Sequence, residues 1–135
     1  MINKIDHIAI AVNNLEASLE TFRKILGYDE SAFRIEEVAS EKVRVGFITI
    51  GESKIELLEP LSDESPIAKF IAKNGEGMHH IALAADNLDA ERVRLDAENI
   101  TPLAPPKEGA GGKQIMFLHP KQTNRVLIEF AQKKK

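Results

Sequence analysis

Residues 6–17 read "DHIAIAVNNLEA" and residues 78–90 read "MHHIALAADNLDA", so one phrase is written twice in a chain of 135 residues. Set against each other, His7 to Ala17 and His80 to Ala90 agree at seven of eleven positions, and the other four exchanges are conservative. The copies stand 73 residues apart. That spacing is about half the chain, which implies two similar modules rather than the short periods of a solenoid.

Each copy changes its period part-way. Ile5 to Val12 alternates as a strand, and then Leu15, Leu19, Phe22 and Leu26 recur at helical spacing up to Gly27, a residue suited to the left-handed position after a helix. Asn14 stands where a side-chain oxygen can accept an orphan N–H of the first turn. Strand-like runs follow at 33–39, 43–50 and 54–59, the last two joined by Gly51-Glu52-Ser53. The first module therefore reads βαβββ over 1–60. A connector over 61–77 holds a short helix, with Ser65 as its cap, Pro66 at its first position, and Gly75 and Gly77 beyond its end.

The second module, 78–131, repeats the order. A strand over 78–85 and a helix over 88–99 lead to a short strand near 101–104. A Pro/Gly-rich loop runs from Pro105 to Gly112, and strands at 114–118 and 126–130 are joined by the turn "HPKQTN". The closing strands are too closely spaced for helical crossovers. The fold class expected is α+β, one domain of two paired βαβββ modules whose curved mixed sheets enclose a site.

Composition bounds what such a domain does. A chain of this length buries roughly two thirds of the surface its unfolded form exposes. With 43% apolar and 29% charged residues and a formal charge of -3, it offers no basic field for nucleic acid or an anionic membrane. We expect neither partner, and the tail Lys133-Lys134-Lys135 reads as a solvated end. The absence of cysteine excludes disulfides, thiolate metal sites and cysteine nucleophiles. No membrane-length apolar run and no secretory pattern are evident, so a cytoplasmic protein is expected.

Strand alternation then selects residues. Ile8, Ile10 and Val12 share one face of the first strand, opposed to His7, Ala9 and Ala11; Ile81 and Leu83 are likewise opposed to His80, Ala82 and Ala84. Each histidine shares its face with two small residues, which leaves room beside it. His79 matches Asp6 and takes a packing or edge role. The 73-residue offset also carries Glu56 of "KIELLE" onto Glu129 of "VLIEFA", each set inside an apolar strand. A carboxylate in such a place needs a partner, because an isolated buried charge costs several kcal/mol. Two imidazoles and two carboxylates around a divalent cation supply one, with donors suited to zinc, cobalt, nickel, manganese or iron.

The remaining candidates carry less. His119 in "FLHP" has no repeat partner and reads as structural or beside the substrate, and Lys121 reads as solvated. Gly109 to Gly112, "GAGG", lacks the strand-to-helix setting of a phosphate loop and fits a mobile loop over a site.

The stretches "DHIAIAV", "SPIAKFIAKNGEGMHHIA" and "FLHPK" resemble the methylmalonyl-CoA epimerase family of the vicinal oxygen chelate superfamily, which also holds glyoxalase I. The resemblance covers nearly the whole chain. It implies a homodimer of glyoxalase-like fold, a divalent metal on His7, Glu56, His80 and Glu129, and an acyl-CoA substrate epimerised at C2 through an enolate. It implies acid/base roles for Glu129 and its symmetry mate Glu56. Some family members place a further acid/base glutamate near the position of Val45, which cannot transfer protons. Glyoxalase I chemistry on a glutathione hemithioacetal and non-catalytic binding of a small molecule are the competing expectations.

Overall fold

The computed structural model describes residues 1–133, which form eight strands and three helices. Lys133 is exposed, while Lys134 and Lys135 of the expected solvated tail lie outside the described residues. The chain divides into two compact units, one of Ile8–His79 and one of Met1–His7 with His80 onward.

The unit of residues 8–79 holds the end of β1 (Ile2–Ala11), then α1 (Leu15–Leu26), β2 (Phe33–Val38), β3 (Val43–Ile50), β4 (Ser53–Pro60) and α2 (Pro66–Asn74). Its strand order is β2-β3-β4-β1, with β3 antiparallel to both neighbours. Asn14 caps α1 by accepting from the Ala17 N–H at 3.0 Å, and Gly27 ends it at φ 69. Leu15 and Leu19 of α1 pack with Val12, Ile48 and Leu57 in the core. The strand beneath must come close, and Gly46 permits it: a Cβ there would stand 2.9 Å from a Leu15 methyl.

The other unit begins with Met1–His7 of β1 and continues through β5 (Gly77–Ala85) from His80, α3 (Leu88–Ala97), β6 (Lys107–Glu108), β7 (Lys113–Leu118) and β8 (Ile128–Lys133). Its order is β1-β5-β8-β7-β6, with β5 parallel and β7 antiparallel to β8, so the sheet is mixed as expected. Leu88 and Leu95 of α3 pack with Ala85, Met116, Leu118 and Phe130. Asn87 caps α3 through the Ala90 N–H, again at 3.0 Å.

When β1 to β4 are matched with β5 to β8, both modules have the same strand order, and α1 and α3 hold the same place in it. The match reaches single hydrogen bonds. Leu15 N–H donates to Glu59 at 2.7 Å, and 73 residues on Leu88 N–H donates to Gln132 at 2.6 Å. An orphan donor of each helix is thus satisfied from the module's own fourth strand.

Four elements differ from the sequence reading by two residues or more. The strand expected near 101–104 is found at 107–108: Pro102 removes a donor from the expected stretch and Pro105-Pro106 follow it at once, although Leu103 N–H reaches Phe117 O at 2.9 Å. Helix α3 stops at Ala97 rather than 99, with Asn99 left-handed at φ 62. Strand β8 begins at Ile128 rather than 126, since Asn124 and Arg125 take positive φ and Val126 O closes the turn by accepting from Thr123 Oγ1. It then continues to Lys133, because polar Gln132 and Lys133 pair with Gln114 and Lys113. Strand β1 spans 2–11 rather than 5–12.

Candidate metal centre

Three of the four residues selected by the repeat meet in one unit. His7 comes from β1, His80 opens the β5 portion of the same unit and Glu129 comes from β8, opposite Ala82 across the parallel pair. All three are buried. His7 Nε2 stands 3.1 Å from His80 Nε2, and the Glu129 oxygens stand 3.5 Å from each of these nitrogens. Two imidazole nitrogens at that separation need a proton or a cation between them, since lone pair against lone pair is repulsive.

The scaffold explains the convergence. Ala82, on the His80 face of β5, is small and buried. Phe117 lies opposite Glu129 in the β7–β8 register and packs edge-on against His80, with ring centroids 5.7 Å apart. On the far side of His7, Asp6 Oδ2 accepts from Nδ1 at 2.7 Å and from Lys113 Nζ at 2.5 Å. The ligand atoms of His7, His80 and Glu129 lie within 4.8 Å of one another, and two nitrogens with one carboxylate make a donor set that fits zinc-like divalent ions.

The family model for the glyoxalase/bleomycin resistance protein/dioxygenase superfamily matches residues 6–117. An ethylmalonyl-CoA/methylmalonyl-CoA epimerase of Cereibacter sphaeroides is 43% identical over 135 residues, covering 98% of this chain and 99% of that protein. A Streptomyces coelicolor methylmalonyl-CoA epimerase variant in complex with 2-nitronate-propionyl-CoA superposes with a TM-score of 0.92 at 34% identity, covering 100% of both chains. A methylmalonyl-CoA epimerase in complex with methylmalonyl-CoA and NH4+ gives 0.90 at 35% identity, covering 98% of this chain and 96% of that one. The chain belongs to the methylmalonyl-CoA epimerase family.

Other residues of this epimerase-family chain can now be placed. Glu56 is buried on β4, in the unit of residues 8–79, opposite Phe47 of β3, as Glu129 is opposite Phe117. Val45 is buried on β3. His79 packs edge-on against Phe70 of α2 at 4.9 Å, the packing role expected of it, and burial lowers its pKa. His119 caps the turn of residues 120–122, its Nδ1 accepting from the Lys121 N–H at 3.0 Å, and Lys121 is exposed. Gly109 to Gly112 itself forms a short 3-10 turn, Ala110–Gly112, and leads into β7 rather than a helix.

Asp6 and Lys113 are the residues that sequence reasoning missed. Asp6 follows an alternation that should turn it away from His7, and Lys113 stands 107 residues away from it. The repeat holds no signal for either. Asp6 is matched with His79, so the symmetry that marked the histidines passed over the carboxylate behind one of them.

Proposed function

We infer that the protein epimerises methylmalonyl-CoA at C2, the carbon between the thioester carbonyl and the carboxylate. The observation that carries this reading is the buried convergence of His7, His80 and Glu129 in a chain of this family. We propose that these three residues hold a divalent cation, cobalt, zinc, nickel or manganese. We add Glu56 as the fourth ligand because the internal repeat pairs it with Glu129.

The hydrogen at C2 is acidic because its removal spreads charge onto the neighbouring oxygens. A divalent ion bound at the site supplies the Lewis acidity that stabilises this charge. His7 and His80 present neutral nitrogen donors, which keeps net negative charge in the site low. Glu129 is the group we assign to take the proton from one face of the substrate, and inversion requires that a proton return to the other face. Glu56, its symmetry mate, is assigned the opposite face, because Val45 cannot serve there.

The test is exchange of the C2 hydrogen with solvent deuterium, followed by NMR on purified protein with each of several divalent metals. Exchange that requires metal is expected. Its absence across the metals, with the fold intact by circular dichroism, would overturn the reading, and turnover of methylglyoxal with glutathione would favour glyoxalase chemistry instead.

A homodimer and a cytoplasmic location belong to the same proposal. No helix among the described residues is long and apolar enough to cross a membrane, and the cysteine-free chain has no disulfide to form. Light scattering that gives the monomer mass would exclude the dimer, and cell fractionation tests the compartment.

A further inference from the structure

The metal reading does not use the buried charge of Lys113. Lys113, the first residue of β7, is 9% exposed, and lysine is seldom buried to that degree unless it is paired. Its partner is Asp6, itself 4% exposed. A single oxygen, Asp6 Oδ2, takes both Lys113 Nζ at 2.5 Å and His7 Nδ1 at 2.7 Å. The result is a line of three groups, ammonium, carboxylate and imidazole, that ends at the face where His80 and Glu129 stand.

Each link constrains the next. A carboxylate can only accept, so the hydrogen of the His7 ring belongs on Nδ1 and the Nε2 lone pair is left toward His80 and Glu129. Removing Asp6 from water without a counter-charge would be strongly unfavourable, and the Lys113 ammonium supplies that charge. A lysine side chain rooted in a strand also restrains the carboxylate it binds.

We propose that Lys113 is a positioning residue of the metal centre: it anchors Asp6, and Asp6 fixes the ring orientation and tautomer of His7. The proposal rests on the metal reading above. Two effects of Lys113 oppose each other. Its charge repels a divalent ion, whereas its anchoring role prepares a ligand for that ion. The carboxylate stands between the ammonium and the ring and offsets the repulsion, so anchoring decides the sign. Outer carboxylates of this kind change metal affinity by about 10–100-fold.

The test uses the full chain, stripped of metal by chelator and titrated with Co2+ in a calorimeter. Asp6→Asn is expected to weaken Co2+ binding by about 10–100-fold and Lys113→Met by about 10-fold, with Lys113→Arg restoring affinity to within about three-fold. The Co2+ absorption bands should shift in Asp6→Asn and Lys113→Met. Nitrogen NMR of the metal-free native chain should show His7 in the Nδ1–H form, a readout that needs neither variant to fold. Native-like or tighter binding by Lys113→Met, or an Nε2–H tautomer in the native chain, would overturn this inference alone. A native chain that binds no divalent cation would overturn the metal reading on which it stands.

Discussion

The two βαβββ modules agree in their scaffold and part company beside their histidines. Asn14 and Asn87 cap their helices at the same distance, and Glu59 and Gln132 accept from matching first-turn N–H groups. Yet at matched positions 6 and 79, one module has a carboxylate on the far nitrogen of its histidine, whereas the other has a ring packed on Phe70. Positions whose task is to hold a strand against a helix are repeated, because that task is the same twice. Positions that serve one particular imidazole are not, because the site that gathers His7, His80 and Glu129 is built once.

The largest effect should come from breaking that gathered site. His7→Ala and Glu129→Ala are each expected to lower C2 exchange by at least about 10³-fold, several kcal/mol of transition-state stabilisation, and to reduce bound metal measured by mass spectrometry. A Glu129→Ala protein that kept full metal content and lost exchange would separate its role as base from its role as ligand. Unchanged activity in either variant would mean that the convergence is structural.

Next in size is the scaffold, where the modules should respond alike. Leu15 and Leu88, matched by the repeat, are both fully buried where their helices begin. Leu15→Ala and Leu88→Ala should each cost about 2–5 kcal/mol by urea denaturation, with similar midpoints. A difference greater than about 2 kcal/mol would show that one core collapses around the cavity better than the other.

The sequence disclosed the features with a short-range cause or a repeated copy. Strand and helix periods, the Asn caps, Pro66 and Gly27 act within a few residues, so they are legible one at a time. His7, His80 and Glu129 were legible because the 73-residue offset stood in for the fold. What stayed hidden depends on long-range register. Lys113 reaches Asp6 only once β7 is placed on β8, and β8 runs past its apolar residues because its partner strand does. The strand near 101–104 was misplaced for a local reason: Pro102 takes one donor from a four-residue stretch, and Pro105-Pro106 follow it at once.

The smallest expected effect probes a position where the scaffold itself differs. Glu91, in the first turn of α3, is buried; it accepts from Arg94 Nε at 2.9 Å and stands 3.1 Å from the amino group of Met1. The position matched by the repeat is Ser18, whose hydroxyl donates to Asn14 O at 2.7 Å and does not titrate. The Arg94 guanidinium holds the Glu91 carboxyl below its ordinary value. On acidification the unfolded chain therefore takes up this proton before the folded chain does. The contribution of Glu91 is complete above the ordinary carboxylate range and is lost as the pH falls through the folded value. Arg94 is 54% exposed, so solvent weakens the pair, and Glu91→Gln should cost only about 0.5–1 kcal/mol at pH 7. Urea denaturation at a series of pH values should show that cost shrinking toward pH 3, while Ser18→Ala keeps the same difference throughout. A Glu91→Gln deficit that did not change with pH would mean that Glu91 acts through packing and hydrogen bonding, as Ser18 does, and the modules would then be more alike than their charges suggest.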